Sequence, residues 1–363
     1  MLKKALEFLK IVEDNGYEAY IVGGYVRDYI LGIKSSDIDI CTNAKPADIK
    51  NIFEDAIVQA EQYGSVTVIY KKVRFEVTTY RSEIKYVGNR KPIEIVYIND
   101  LMEDIYRRDF TINSLCMNQL GEIIDPLDGR KDIENKVVRT IGNANLKMKE
   151  DSLRILRAIR FATSLNFKID VETKKAIMDT KKYLKNISYQ RKKSELEKIF
   201  LSNNSKYGIK LILELKLLEE LEISNLKNIV LTEDLLGIWA QLDVTEKYPF
   251  DKNESHLISS IKELMNKDPL DKENIYKYGL YVSTVVGNIK GLDKKQINNL
   301  YNSLPIKERN EIAVDGKMIC DILNIKPSII LRNIISDLER NIILGSLNNN
   351  YESIREYLIK QYS

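Results

Sequence analysis

The stretch YIVGGYVRDYILGIKSSDIDICT, residues 20–42, decides how the first part of the chain folds. It reads as strand, glycine turn, short helix and second strand. In an extended segment successive side chains face opposite ways, so Asp37 and Asp39 share one face while Ile38 and Ile40 share the other. Two carboxylates so placed repel unless one is protonated or a cation lies between them. The pair alone fits an edge strand with its acidic side in water, or a strand that grips a cation. Upstream, Gly23 and Gly24 let backbone N–H groups approach a ligand with no Cβ in the way. They open a helix, whose N-terminus favours anions, and Arg27 in its first turns adds a fixed cation. Glycine pair, arginine and acidic pair together read as a phosphate cradle beside a metal site.

Working outward, the 363 residues exceed what one small core organises, and two to four domains are expected. Apolar residues at 44% can build those cores, and charged residues at 30% suit a soluble chain. No apolar run reaches the roughly 18 residues of a membrane span. The opening MLKKALEFLKIVEDNGYEAY mixes acids into a helical pattern and reads as a folded first helix rather than a signal peptide. Cys41, Cys116 and Cys320 lie far apart in sequence with no CxxC pair, which points to a reducing cytoplasm and away from zinc or a disulfide framework. The single histidine, His256, sits in a polar segment and reads as surface. Triads and multi-histidine metal sites therefore drop out, leaving carboxylates, arginines and hard metals. Residues 1–140 carry 20 Lys and Arg against 23 Asp and Glu, the remainder 36 against 30. An acidic front with a basic back fits a polyanionic partner held away from the chemistry.

Strand signals fill the first 140 residues: YEAYIVGG, SDIDICT, SVTVIYKK, VRFEVTTYR and PIEIVYI, with helices expected at GGYVRDYILG and PADIKNIFEDA. Beyond about Val138 the pattern turns helical, from DSLRILRAIRFATSLNF onward, with SLNNNYES as an inter-helix loop. The expectation is an α+β head with a mixed sheet, followed by an all-α arm.

Three further constellations bear on chemistry. In VRFEVTTY, Glu76 shares a face with Arg74 and Thr78; it is either a solvated strand residue or a third acid beside Asp37 and Asp39. Three such carboxylates would hold two Mg²⁺ about 3.5–4 Å apart, the arrangement that activates a hydroxyl and neutralises a leaving phosphate. In EDIYRRDFTIN, Arg107 and Arg108 suit a triphosphate, and Asp109 or Asn113 a ribose hydroxyl. DPLDGRKDI reads as a structural turn. In EDSLRILRAIRFA, Asp151, Arg154 and Arg157 are spaced three apart, along one face of a helix. An i,i+3 Asp–Arg pair is commonly a surface salt bridge. It also matches a nucleobase edge: adenine and cytosine each set an amino donor beside a ring acceptor, whereas guanine and uracil present the reverse. A mismatch would strand polar groups in a closed site.

GGYVRD, DID, RRDFTIN, DPLDGRKDI, EDSLRILRAIRFA and SYQRKKSELEKIF stand in the order found in bacterial class II tRNA nucleotidyltransferases. The chain resembles that family, part of the DNA polymerase β-like nucleotidyltransferase superfamily with the bacterial poly(A) polymerases. The resemblance is strongest over residues 20–200 and continues into EIAVDGKMICDILNIKPSIILRNI, similar to the family's last tRNA-contacting segment. It implies a curved arm of head (1–138), neck (139–205), body (206–290) and tail (291–363). It implies cytoplasmic addition of CCA to tRNA 3′ ends from CTP and ATP with Mg²⁺ and no template. Residue by residue, Asp37 and Asp39 match the metal-binding carboxylates and Glu76 the third acid. Gly23, Gly24, Arg27 and Asp28 match the triphosphate side, and Arg108, Asp109 and Asn113 the sugar and phosphate contacts. Asp151 and Arg154 match the base-reading pair, supported by Arg157 and by Arg191 with Glu195. YRSEIKYVGNRKP resembles the flexible loop used in switching from C to A, which disfavours an enzyme adding only CC.

The sequence departs from the family in having SII after Pro327 in place of a Gly-Pro-rich turn, and Ser114 where alanine is common. One histidine leaves no HD-type phosphohydrolase motif. An A-adding enzyme, a poly(A) polymerase and a catalytically idle RNA-binding protein on the same scaffold are the alternatives; three mutually repelling carboxylates speak against the last.

Overall fold

The computed structural model describes residues 1–35, 37–53, 56–60, 64–87 and 91–362. The chain forms two compact units, Met1–Ile223 and Ser224–Ser363.

The first unit begins with α1 (Leu2–Asp14), whose apolar residues Ala5, Phe8, Leu9 and Val12 recur at helical spacing and are buried. β1 (Ala19–Val22) leads through Gly23 into α2 (Gly24–Ile30), then β2 (Ile38–Thr42) and α3 (Pro46–Ile52). Strands β3 (Ala56–Ala60), β4 (Ser65–Tyr70) and β5 (Val73–Thr79) follow, and then the hairpin β6 (Arg81–Val87) and β7 (Lys91–Tyr97). After α4 (Leu101–Tyr106) come β8 (Cys116–Met117) and β9 (Ile123–Ile124). Seven strands form one sheet in the order β3-β4-β5-β2-β1-β8-β9; β2 and β5 run parallel and the other ladders antiparallel, the mixed sheet expected. α1 covers it through Phe8, whose ring stacks on Phe53 at 4.3 Å and meets Phe75 at 4.9 Å.

One expectation is corrected here. PADIKNIFEDA is not one helix: α3 stops at Ile52 because Phe53 is extended (φ −125°, ψ 108°), bringing its ring onto Phe8. Two of the cysteines, far apart in sequence, meet in space. The sheet order brings Cys41 and Cys116 into one buried cluster with Val22, Tyr80 and Ile105. Burial, and then a hydrogen bond with Cys116, pushes the Cys41 thiol up. All three cysteines are free. The loop resembling the C-to-A switch runs along β6 and β7, which pair antiparallel; its residues 88–90 lie outside the described ones.

Helices then take over: α5 (Gly129–Glu134), the short β10 (Val137–Val138), α6 (Ala144–Glu150), α7 (Leu153–Leu165), the short β11 (Lys168–Ile169), α8 (Val171–Thr180), α9 (Tyr189–Phe200), α10 (Ser205–Glu214) and α11 (Leu218–Leu221). α7 carries nine buried residues, Arg154 among them. DPLDGRKDI is structural as expected: Asp125 caps the Gly129 and Arg130 N–H groups, and Asp132 accepts from Thr111 at 2.6 Å.

The second unit is helical: α12 (Leu235–Gln241), α13 (Lys252–Met265), α14 (Lys272–Ile289), α15 (Lys294–Asn302), α16 (Gly316–Leu323), α17 (Ile329–Leu344) and α18 (Tyr351–Tyr362). Gly279 at φ 76° kinks α14, a backbone position that favours glycine. His256 is exposed on α13, as its polar segment implied. The SII departure opens α17, with Ile329 and Ile330 exposed. Among the described residues no helix is long and apolar enough to cross a membrane.

Candidate active site

β2 sets Asp39 between its neighbours in the sheet. Ile38 and Ile40 are buried, Asp37 and Asp39 exposed, so the alternation expected from the sequence holds, with Asp37 just ahead of the strand. The parallel register places Asp39 opposite Glu76 on β5. Although the residue keeps solvent contact, the protein packed around the Asp39 carboxyl partly desolvates it and pushes it up; Arg108 draws it down, and Glu76 and Asp37 push it up again. Neither Asp37 nor Asp39 has an ion-pair partner among the described residues. Glu76 does: Arg74 donates to its Oε1 at 2.8 and 2.6 Å, and the Thr67 hydroxyl lies 3.0 Å from both its oxygens. Among the described residues no three acidic, histidine or cysteine side chains gather as a metal cluster, so Glu76 stands beside the aspartate pair with its own cation.

A cavity of about 450 Å³ opens on Asp39. Gly23, Gly24, Arg27, Arg108, Asp109, Asn113, Asp151, Arg154 and Arg157 all line it, together with Arg107, Arg160 and Phe161. Ten of the residues singled out from sequence, Arg107 included, thus meet Asp39 in one place. Gly23 turns at φ 71°, and a Cβ there would come within 3.8 Å of the Arg108 guanidinium. Arg27 is buried and fixed: Asp28 accepts from its Nε and a terminal nitrogen at 2.8 and 2.7 Å, and Asn113 Oδ1 from the other at 2.7 Å, which leaves one N–H on each terminal nitrogen for a ligand. Asp28 therefore holds Arg27 and does not itself line the cavity. Asn113 donates to Asp109 at 3.1 Å, and Arg157 Nε donates to the other Asp109 oxygen at 2.8 Å. Burial would raise Asp109, but Arg157 and the Asn113 hydrogen bond prevail, holding it down at about 2.

Asp151 and Arg154, the pair expected to read a base, depart from the expected geometry. Asp151 is not on the helix: it has extended backbone (φ −135°, ψ 99°) between α6 and α7, with Ser152 at the helix N-cap. Its Oδ1 accepts from the Leu153 N–H at 3.0 Å, a donor the first turn would otherwise leave unmade. Burial pushes its carboxyl up against the pull of Arg154. Arg154 donates to the backbone carbonyls of Lys147 and Arg107, both at 2.9 Å, and to Glu150 at 3.2 Å. That leaves the other Asp151 oxygen, the Arg154 Nε–H and one terminal N–H for a ligand.

Sequence reasoning missed two supports. Asp104 on α4 is wholly buried and bonds Arg107 Nε at 2.8 Å and Arg108 at 2.9 Å, so it aims two cavity arginines. Burial would raise it, but Arg108 and Arg107 hold it below the usual carboxylate range. Its i,i+3 and i,i+4 spacing to those arginines was the available signal. Phe161 is the second: Arg27, Arg157 and Arg160 lie 5.2, 5.5 and 4.2 Å from its ring centroid. Arg191 and Glu195 do not line the cavity. Arg191 is exposed, and Glu195 pairs with Arg160 at 3.0 Å and Lys198 at 3.8 Å rather than with Arg191.

With this geometry in hand, comparison with known proteins is informative. Residues 19–139 match the family model of the poly A polymerase head domain, residues 166–225 that of a probable RNA and SrmB-binding site of polymerase A, and residues 250–358 that of a putative tRNA nucleotidyltransferase domain 2. A CCA-adding enzyme of Ligilactobacillus salivarius is 34% identical over 98% of this chain and 95% of its own length. The chain belongs to the CCA-adding enzyme family. A second CCA-adding enzyme, from Streptococcus agalactiae, is 34% identical over 99% of the chain and 97% of its own. The fold agrees: the Bacillus stearothermophilus CCA-adding enzyme, solved in complex with CTP, superposes with a TM-score of 0.89 at 27% identity, covering 99% of this chain and 97% of that one.

Proposed function

We propose that the chain adds CCA to tRNA 3′ ends in the cytoplasm, taking CTP and ATP, releasing pyrophosphate and using no nucleic-acid template. The observation that carries this reading is the cavity at Asp39, where six arginines face three carboxylates and Asp151 stands with Arg154. Such a lining suits a polyanion with a nucleobase attached.

Asp37 and Asp39 are the residues that would hold a divalent metal. They are exposed oxygen donors without an ion-pair partner among the described residues, and each adds to the other's negative charge, which fits a hard cation such as Mg²⁺. When bound, the metal would supply charge neutralisation at the reacting phosphate and an acidified attacking hydroxyl. Glu76, held by Arg74 and Thr67, adds negative potential beside them. Arg27, Arg108 and the Gly23–Gly24 turn bind the triphosphate. Asp109 spends both oxygens inside the protein, so it positions Asn113 and Arg157 toward the sugar. The free Asp151 oxygen accepts the exocyclic amine of cytosine or adenine, and the remaining Arg154 N–H groups donate to the adjacent ring nitrogen. Guanine and uracil would set carbonyl against carboxylate, leaving both unpaired. Arg191 and Glu195 act from behind, Glu195 by fixing Arg160. Within this reading residues 1–138 are the catalytic head, 139–205 the base-reading neck, 206–290 the body and 291–363 the tRNA-binding tail.

The test is direct. tRNA transcripts ending before CCA, after CC and after CCA are incubated with each labelled nucleotide, and their 3′ ends are sequenced. The reading expects C, C, A and then arrest, with Asp39→Ala abolishing incorporation while tRNA binding persists. Addition of A alone to CC ends would make it an A-adding enzyme, and long A tails a poly(A) polymerase.

A further inference from the structure

Three of the six cavity arginines gather around one ring. Arg27, Arg157 and Arg160 hold their guanidinium carbons 5.2, 5.5 and 4.2 Å from the centroid of Phe161. All three fall within the roughly 6 Å over which an aromatic ring attracts a cation. They reach it from two segments. Arg157 and Arg160 precede Phe161 on α7, whereas Arg27 arrives from α2 beside the glycine turn. The buried Phe110 meets the ring edge-on, at 5.8 Å and 78°, and so holds its tilt.

Each arginine also has a carboxylate: Asp28 for Arg27, Asp109 for Arg157 and Glu195 for Arg160. Asn113 links the first two pairs, accepting from Arg27 and donating to Asp109. That chain does not include Arg160, whose Nε–H stands 3.0 Å from a Glu195 oxygen without being aligned to hydrogen-bond it. Of the groups named, only the Phe161 ring lies against all three cations.

The cations need such a partner because they oppose one another. Burial disfavours the charge of Arg160, Glu195 supports it, and Arg157 and Arg27 repel it. An aromatic face offsets part of that repulsion without adding a carboxylate, so the site keeps its positive charge for an anion. Phe161 itself is 9% exposed at the cavity wall. What it presents to a ligand is the set of arginines around it.

We propose that Phe161 is a positioning residue for the incoming nucleotide: its ring fixes the spacing of Arg27, Arg157 and Arg160, so that cations from α2 and α7 meet the triphosphate and sugar as one set. This rests on the nucleotidyl-transfer reading above. The test replaces Phe161 in the full-length protein with phenylalanines carrying one, two or three ring fluorines, introduced at an amber codon. Fluorine weakens the negative face of the ring and leaves its shape close to that of phenylalanine, which separates holding cations from filling space. KM for CTP and KM for ATP should rise together and stepwise with fluorine count, reaching about tenfold at three. KM for tRNA should stay within about twofold of wild type, and the melting temperature within about 2 °C. Phe161→Leu, which keeps an apolar side chain and removes the aromatic face, should raise both nucleotide KM values at least as far; if it fails to fold, the fluorinated series still decides. Nucleotide KM values that do not move with fluorine count overturn the inference, as does a KM for tRNA that rises as steeply as they do. A wild type that adds nothing to tRNA overturns the underlying reading instead.

Discussion

Replacing Asp104 by asparagine preserves the shape of the side chain and removes its charge. In the native protein its two oxygens serve Arg107, Arg108 and, at 3.3 Å, the backbone N–H of Arg81 at the start of β6. The variant leaves two guanidiniums without their counter-charge and turns an NH₂ donor toward one of them. Stripping one partner from a buried ion pair costs about 3–5 kcal/mol. Here the side chains of Arg107 and Arg108 are 17% and 18% exposed, so the stranded charges still reach solvent and the lower end applies. We expect a loss of ~3 kcal/mol in the first unit. Urea unfolding followed by far-UV circular dichroism measures it. Fluorescence of Trp239, the only tryptophan, reports the second unit as an internal reference. Two cavity arginines also lose their aim, so KM for CTP and ATP should rise together. A stability loss below about 1 kcal/mol, the size of an ordinary neutral hydrogen bond, would refute the reasoning.

Other sites give equally definite expectations. Asp151→Asn exchanges an acceptor for a donor at the base edge, and Arg154→Ala removes its partner. Each should cut discrimination against GTP and UTP by at least about tenfold, read by sequencing misincorporated 3′ ends; unchanged rejection in both would remove the base-reading role. Asp109 is held down at about 2 in the fold, so its contribution is complete above the ordinary carboxylate range and is lost as pH falls toward 2. The stability gap between wild type and Asp109→Asn, ~2 kcal/mol at pH 7, should close as urea titrations are repeated at decreasing pH. At Gly129 an added Cβ would lie 2.3 Å from the Thr111 carbonyl oxygen, which is backbone and cannot step aside. Gly129→Ala should therefore lower stability by ~1–3 kcal/mol and raise nucleotide KM by shifting the turn that carries Asn113.

Much of the site was legible in sequence because its residues announce their chemistry locally. DID on an alternating strand shows which way its carboxylates face, and a glycine pair before a helix marks a turn that lines the cavity. What escaped was geometry made by distant segments. Asp151 looked helical from its spacing to Arg154, yet the chain breaks there so that its carboxylate can meet the Leu153 N–H. Cys41 and Cys116 become neighbours only because β1 lies between β2 and β8 in the sheet. Phe161 looked like one more apolar position on α7 until three guanidiniums were found around its ring. The strained Lys71–Lys72 turn carries neither glycine nor asparagine, so no turn signal marked it.

The anchoring of Arg154 has a consequence for how nucleotide choice withstands mutation. Two of its three fixed bonds end on the main-chain carbonyls of Lys147 and Arg107. A carbonyl is the one group at a position that substitution of the side chain does not delete. Substitution at 147 or 107 therefore leaves in place the two acceptors that aim the guanidinium proposed to read the base, whatever else the Arg107 side chain does for the cavity. If Arg154 reads the base as proposed, its aim is written partly into the backbone, beyond the reach of most single-codon changes at those two positions.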